Sequence, residues 1–323
     1  MPIAVRSWTT GLLASVVVST SAVAQRAREP EELVLALGLI DRGLHAEAIP
    51  RLEAFLERQP RHRRAGEAWY RLGVCQVETD ASDRAVDSFR RALRTNGFEL
   101  EAEARYRLAT TLQPGDPGAA RGEFEALLER IDESHYLRAA ALFGRGECER
   151  DTGQDEKAAR SFLEAADSAA HLGGDAQRYG FFGGLEAGLA LLRLEQFGKA
   201  RRVFELVRRH HGDHERIAEV HYFEGDAAYR AGDRAAAANA WRACVAAGGA
   251  HEADARCGLA WCLADAGDSA SALEAFAAVV ERFPASAAAR RARLEVGRLA
   301  HRGGDHARTV RVLDALLDDS ELG

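Results

Sequence analysis

The chain has 323 residues, of which 47% are hydrophobic and 29% charged, and its formal net charge is −7. This composition excludes a disordered chain, and the negative charge disfavours nucleic acid or an anionic membrane surface as a partner. Alanine and leucine supply most of the apolar residues and only 7 residues are proline, so we expect an all-α protein.

Residues 1–24 have the pattern of a secretory signal peptide. Arg6 precedes an apolar run at residues 11–18, and Ala22 and Ala24 offer the small side chains that signal peptidase requires. The run is about half as long as the ~20 residues of a membrane-spanning helix, and Gln25 stands where a lipoprotein would have cysteine. We therefore expect a bacterial protein that is periplasmic or secreted, with no integral membrane segment after cleavage before Gln25.

Downstream of the leader, an alanine followed four residues later by a large apolar residue recurs every 35 to 42 residues. Self-similarity at such a step predicts stacked supersecondary units rather than one globular core. The four-residue spacing places both side chains on one face of a helix. The pairs are Ala48 and Leu52, Ala85 and Phe89, Ala120 and Phe124, Ala158 and Phe162, Ala200 and Phe204, Ala237 and Trp241, Ala272 and Phe276, and Thr309 and Leu313.

A second helix is expected upstream of each pair, and it carries one small residue in register, which would let the two helices approach closely. The small positions are Ala36, Gly73, Ala109, Gly146, Gly188, Gly225, Ala260 and Gly297. Between the helices stand glycine-containing turns such as Gly232-Asp233 and Gly267-Asp268, in which glycine ends one helix and aspartate starts the next.

The chain at this point resembles the tetratricopeptide repeat family. The most diagnostic segment is Trp69-Tyr70-Arg71-Leu72-Gly73 followed by Ala85, Phe89, Ala92 and Leu93, and the ends Gln59-Pro60 and Phe283-Pro284 fit the same pattern. The resemblance implies an α-solenoid of about eight helix-turn-helix repeats over residues 25–319, with a tail at 320–323. The expected repeats are 29–62, 66–99, 102–132, 139–172, 181–214, 218–251, 253–286 and 290–319.

The resemblance also implies a concave groove lined by the first helix of each repeat. The expected contact residues are aromatic side chains with carboxylates between them, which suit a protein or peptide partner with basic residues. A tyrosine at this place in the family also often packs only against its neighbours. The candidates are Tyr70, Tyr106, Phe143, Tyr222, Tyr229 and Trp261, with Glu67, Glu103, Glu147 and Asp226.

Two further features of the repeats leave alternatives open. The glycines between residues 171 and 184 weaken a helix and suggest a hinge. Cys75, Cys148 and Cys262 share a register typical of small core residues, whereas Cys244 could form one disulfide, with Cys257 or with Cys262.

The histidines at the join of the fifth and sixth repeats are the one cluster with the composition of a metal site. His210, His211 and His214 lie beside Asp213, but no second histidine completes a zincin motif after His214. A solvated turn without metal is therefore the default interpretation.

No nucleophile elbow, phosphate-binding loop or dinucleotide fingerprint occurs, so we expect no catalysis and no cofactor. The favoured hypothesis is an envelope scaffold that holds another protein. One alternative is a self-assembling module that associates through the C-terminal repeat, where Leu313, Leu316 and Leu317 would seek a partner. The other, an exported metal-binding protein or enzyme, rests only on the histidine cluster.

Overall fold

The computed structural model describes residues 30–318, apart from the side chains of 313 and 315–318. The predicted signal peptide and the tail at 320–323 lie outside these residues. Within the described part, regular structure consists of sixteen α-helices and one short 3-10 helix at Gly174–Ala176. The helices are α1 Glu31–Ile40, α2 His45–Arg58, α3 Ala65–Glu78, α4 Ser82–Leu93, α5 Glu101–Leu112, α6 Pro117–Leu128, α7 Arg138–Asp151, α8 Asp155–Leu172, α9 Gln177–Arg193, α10 Phe197–His210, α11 Ile217–Arg230, α12 Arg234–Ala247, α13 Glu252–Asp265, α14 Ser269–Arg282, α15 Ala287–Arg302 and α16 His306–Asp318.

The small residue on each first helix lets the second helix approach closely, as predicted, and in several repeats it packs against an aromatic ring. A β-carbon added to Gly73 would lie 2.6 Å from the Phe89 ring, and one added to Gly225 would lie 2.5 Å from the Trp241 ring. The aromatic side chain of the second helix therefore fills the space that a larger residue on the first helix would occupy. The same contact recurs at Gly146 with Phe162 and at Gly188 with Phe204.

The core follows the same register along the chain. Most of the predicted large apolar residues are at most 3% exposed, so this series faces the interior. They are Leu52, Phe89, Phe124, Phe162, Phe204, Trp241 and Phe276. The alanine four residues earlier is also fully buried in each of these repeats.

The predicted turn chemistry is present at the starts of several second helices. The Oδ1 atoms of Asp233 and Asp268 accept hydrogen bonds from the backbone N–H groups of Ala236 and Ser271, at 3.0 and 3.1 Å. Gly232 precedes the first of these aspartates with φ +87°, a left-handed conformation that side chains with a β-carbon rarely adopt. Glycine thus ends one helix and aspartate caps the next, as the sequence predicts.

The described part of the chain divides into two compact units, residues 30–112 and 113–318. The boundary falls at the turn after Leu112, whereas the sequence suggested a hinge near residues 171–184. The glycines of α9 allow close packing, because a β-carbon on Gly183 would lie 2.7 Å from the carbonyl oxygen of Phe162 on α8. The hinge near residues 171–184 stays a prediction.

A membrane-spanning segment was sought among the helices of residues 30–318. None of them combines the length and the apolar composition that crossing a bilayer requires.

Candidate functional site

In the first unit, the candidate groove residues offer little free surface. Tyr70 is only 9% exposed, and its ring packs against Phe89 and Phe98 with centroid distances of 6.0 and 6.3 Å. Glu67 accepts hydrogen bonds from Nε and Nη2 of Arg64 at 2.6 and 3.0 Å. Tyr106 and Glu103 on α5 are half-buried. Tyr70 thus packs in the core, in agreement with the alternative that a tyrosine at this place packs only against its neighbours.

At the start of the second unit, Phe143 and Glu147 lie on α7 and are half-buried. The Phe143 ring packs against Phe162 at 5.2 Å and against Tyr179 at 5.5 Å. Glu147 accepts a hydrogen bond from Nε2 of Gln113 at 3.3 Å, and burial raises the pKa of its carboxyl group. Both side chains are held by neighbours on their own and adjacent helices.

The other four candidates converge on one cleft of about 470 Å³, which we call the aromatic cleft. Tyr222, Asp226 and Tyr229 come from α11, and Trp261 comes from α13. Residues of α15 also line it, so three successive first helices contribute to the cleft. The aromatic side chains from different repeats therefore share one concave surface.

Trp241 of α12 fixes the floor of the aromatic cleft. Its ring lies between two glycines of neighbouring first helices, since added β-carbons on Gly225 and Gly258 would each lie 2.5 Å from it. Its indole Nε1 donates a hydrogen bond to the carbonyl oxygen of Tyr222 at 3.2 Å. One buried ring therefore sets the spacing between α11 and α13, which carry the cleft's aromatic side chains.

The two tyrosines of the cleft are held rigidly. Tyr222 stacks on the His251 ring with a centroid distance of 4.6 Å and an interplanar angle of 7°. The Tyr229 hydroxyl donates to Oδ2 of Asp265 at 2.9 Å, while the Arg234 guanidinium lies 3.9 Å above its ring. Burial, with contributions from nearby carboxylates, raises the pKa of both phenols to about 12. Both remain protonated donors at neutral pH.

Carboxylates and arginines alternate around the aromatic cleft. Asp226 pairs with Arg230 at 3.1 Å, Glu295 pairs with Arg298 at 3.1 Å, and Asp254 pairs with Arg291. In each pair the acidic side chain is the more buried partner, at 25, 18 and 25% exposure against 52, 55 and 49% for the arginines. The carboxylates thus form part of the cleft wall, and their arginine partners are about half exposed.

The repeats themselves match a family model. The model is described as tetratricopeptide repeat, and it matches residues 33–99, 111–172, 185–241, 222–287 and 265–321, which is more than half of the chain. The chain belongs to the tetratricopeptide repeat (TPR) family. A search of curated protein sequences returned no match.

A solved TPR structure shares the fold, and two further solved structures match with lower scores. The C-terminal part of a TPR repeat-containing protein from Cytophaga hutchinsonii superimposes with a TM-score of 0.60 at 16% identity, covering 80% of this chain and 98% of that chain. PilF of Pseudomonas aeruginosa covers 72% of this chain and 98% of its own at 19% identity, with a TM-score of 0.49. YrrB, a TPR protein with an unusual peptide-binding site, covers 60% of this chain and 93% of its own at 21% identity, with a TM-score of 0.47.

The TPR register also accounts for cleft residues that the sequence analysis missed. Asp226, Trp261 and Arg298 each directly follow the small position of their repeat, and Arg230, Asp265 and Arg302 follow it by five residues. Positions one and five after the small residue lie on one helical face. Extending the register rule from aromatic residues to all residue types would have found Arg298, Arg302 and Asp265.

The five cysteines of this TPR chain are free thiols. Cys244 and Cys257 are buried and unpaired, and Cys262 is half-buried. Burial raises the pKa of Cys244 and Cys257 to about 11. The structure therefore contains none of the disulfides that the sequence left open, and it favours the core role for these side chains.

The histidine cluster forms a packed corner of the repeat array. The His214 ring stacks on Phe181 with a centroid distance of 3.5 Å, and its Nδ1 accepts a hydrogen bond from the backbone N–H of Arg216 at 3.2 Å. Burial, with the neighbouring His210 and His214, lowers the pKa of His211. Among the residues that the structure describes, no three side chains of histidine, cysteine, aspartate or glutamate are placed to hold a metal ion.

Proposed function

We propose that the chain is a non-catalytic scaffold of the bacterial cell envelope that holds a segment of another protein in the aromatic cleft. The TPR fold itself suggests protein–protein interaction. The observation that carries the more specific proposal is the convergence of Tyr222, Tyr229 and Trp261 on one cleft. Rigid aromatic side chains in a concave surface are typical anchors of peptide recognition.

The proposed segment is basic. The carboxylates of Asp226, Asp254 and Glu295 form the cleft wall, and their arginine partners are about half exposed. Exposed ion pairs contribute only about 0–1 kcal/mol each, so a basic side chain of the partner can replace a wall arginine at little cost. The Tyr222 and Tyr229 rings would then pack against the apolar part of the same segment.

The envelope location rests on the predicted signal peptide at residues 1–24. Cell fractionation with N-terminal sequencing tests it. We expect the mature protein in the periplasm or the medium, with Gln25 as its first residue. A cytoplasmic protein that retains residues 1–24 would overturn the location but not the binding proposal.

Peptide selection on the purified mature chain tests the binding proposal. Peptides from a random displayed library would be enriched on the chain, and their dissociation constants measured by fluorescence anisotropy. We expect Lys- or Arg-containing peptides whose affinity falls about tenfold or more on Trp261→Ala or Tyr229→Ala, since an aromatic anchor contributes more than about 1.4 kcal/mol.

Tyr136→Ala is the matched control, because Tyr136 is 61% exposed in the turn before α7 and does not line the aromatic cleft. Its affinity for the same peptides should equal that of the parent. Equal losses in all three variants, or selected peptides without basic residues, would contradict the proposed site or its proposed charge preference, respectively.

Self-association through the C-terminal repeat is a second candidate function. Val310 on α16 is 55% exposed, whereas the side chains of Leu313, Leu316 and Leu317 lie outside the described residues. Sedimentation equilibrium tests this candidate. A mass that rises with concentration and falls on Val310→Asp would support it, and a monomer at high concentration would exclude it.

A further inference from the structure

A second surface of the chain lies between the second helices α8 and α10, away from the aromatic cleft residues. Two clefts of about 610 and 440 Å³ meet there, since Leu163 and Val203 line both of them. Leu163 and Leu206 are 39 and 48% exposed and both line the smaller cleft, so they form an exposed apolar patch beside Val203. We call this surface the α8–α10 trough, defined by Arg160, Leu163, Lys199, Arg202, Val203 and Leu206.

The floor of the trough is built by close packing of α9. A β-carbon on Gly184 would lie 2.3 Å from Cγ2 of Val207, and one on Gly183 would lie 2.7 Å from the carbonyl oxygen of Phe162. The glycines therefore let α9 lie close to both neighbouring helices. Leu163 and Leu206 remain above this floor on α8 and α10 with apolar surface exposed to water.

The rim of the trough is positively charged, although the chain carries a formal net charge of −7. Arg201 and Arg208 of α10 pair with Asp233 and Glu224 at 2.8 and 3.2 Å. Lys199 and Arg202 on the same helix have no carboxylate within ion-pair distance among the residues of the described part. Nζ of Lys199 donates a hydrogen bond to the side-chain oxygen of Gln196 at 2.8 Å.

The opposite rim adds a third cation. Nε of Arg160 on α8 donates to the backbone carbonyl oxygen of Glu156 at 3.3 Å, so its charge is not neutralised by an ion pair within the described residues. Glu156 lines the larger cleft and Asp167 the smaller one. Around the larger cleft, three cations therefore face one carboxylate.

We propose that the α8–α10 trough docks an acidic amphipathic helix of a partner protein. The leucines of such a helix would cover Leu163, Val203 and Leu206, and its carboxylates would pair with Lys199, Arg202 and Arg160. Apolar anchors inserted between paired helices are a recurrent mode of helix-in-groove recognition. The cationic rim selects the charge of the partner and speeds the encounter. This site is independent of the aromatic cleft.

A synthetic peptide provides the probe. It carries leucines at i, i+3, i+4 and i+7 with glutamates on both flanks, and a matched peptide carries lysine in place of each glutamate. Fluorescence anisotropy on the full mature chain should show saturable binding of the acidic peptide, weakened by added salt, and no binding of the basic peptide.

Charge reversal of the rim is the decisive variant. The double variant Lys199→Glu, Arg202→Glu should lower the affinity for the acidic peptide about tenfold or more and should allow the basic peptide to bind. The control is Arg90→Glu with Arg94→Glu, two exposed arginines in the last turn of α4 and directly after it, in the other unit, which should leave the binding of both peptides unaffected. Leu206→Ser tests the apolar surface of the trough without changing its charge, and it should also lower the affinity for the acidic peptide. Trp261→Ala should leave its binding unchanged.

Lysine chemistry supplies an independent readout, because Lys157 and Lys199 are the only lysines of the chain. Carbodiimide cross-linking should join the acidic peptide to Lys199. Absence of saturable binding, equal binding of both peptides, or insensitivity to the Lys199 and Arg202 reversal would overturn the proposal. A concentration-dependent homodimer with Lys199 cross-linked to a second copy would also overturn it, since the occupant would then be the chain itself.

Discussion

At the residue scale, the absence of a β-carbon at a few glycines allows the two helices of a repeat to pack against each other. The rings of Phe89, Phe162, Phe204 and Trp241 occupy the space above the glycines of the first helices. This contact was predictable, because the small position and the aromatic ring each recur in register. The contacts of Gly183 were not predictable from the sequence. A glycine that only weakens a helix and a glycine that allows a neighbouring helix to pack closely cannot be distinguished by the sequence alone.

The first prediction concerns Gly258, whose added β-carbon would lie 2.5 Å from the Trp241 ring. Gly258→Ala should lower the unfolding midpoint, because overpacking costs about 1–3 kcal/mol. Gly122→Ala in α6, where nothing lies within 4 Å, should raise it, since alanine favours a helix over glycine by about 1 kcal/mol. Thermal unfolding followed by circular dichroism gives both midpoints, and two shifts of the same sign would contradict the packing argument.

The second prediction concerns pH. Burial and the nearby Arg208 lower the pKa of His221 below its ordinary value of 6.5. The unfolded chain therefore binds the proton more tightly, and the stability from neutral His221 is present above about pH 6.5 and lost as the pH falls. His221→Leu should flatten the decline of the denaturation midpoint that begins as the pH falls below about 6.5. An unchanged slope in the His221 variant would exclude this residue as the source.

The third prediction concerns thiol reactivity. Burial raises the pKa of Cys75, Cys244 and Cys257 to about 11, so these thiols are protonated as well as inaccessible in the folded protein. Limited maleimide labelling read by mass spectrometry should modify the half-buried Cys262 first, and denaturant should expose the rest. Early labelling of Cys257, or an intact Cys244–Cys257 disulfide, would contradict the structure.

At the element scale, the helices are well specified by the sequence but the surfaces between them are only partly so. The first-helix register selected Tyr222, Asp226, Tyr229 and Trp261 as contact residues, and in the structure these four line one cleft. The same register selected Tyr70, which is only 9% exposed. Helical periodicity predicts which face of a helix a side chain lies on, but not whether neighbouring side chains cover it. Phe98, from the loop after α4, covers Tyr70 and carries no repeat signal.

The fourth prediction belongs to the packing of α8 against α9. Gly183→Ala should destabilise the chain, because its β-carbon would meet the backbone carbonyl oxygen of Phe162 at 2.7 Å. Gly198→Ala in α10, where nothing lies within 4 Å, should not destabilise it. Chemical denaturation of both variants provides the comparison. An unchanged stability in the Gly183 variant would indicate that α9 can move, as the hinge interpretation supposed.

At the scale of the whole molecule, the repeat period determined the fold class and the family without any long-range contact. Repeats interact mainly with their neighbours, so local patterns specify much of the architecture. The division at residue 112 was not predicted, since the turn at 113–117 differs from the other turns only in length and proline content. The fold likewise does not determine a partner, because TPR arrays serve unrelated pathways on similar scaffolds.

The central claim is that the aromatic cleft holds another protein in the cell. A photo-reactive phenylalanine analogue placed at Trp261 or at Tyr229 and irradiated in living cells tests this claim most directly, with the same analogue at Tyr136 for comparison. We expect a discrete protein adduct from both cleft positions and none from position 136. Adducts at position 136 alone, with none from the cleft in an equally folded and exported protein, would contradict the account.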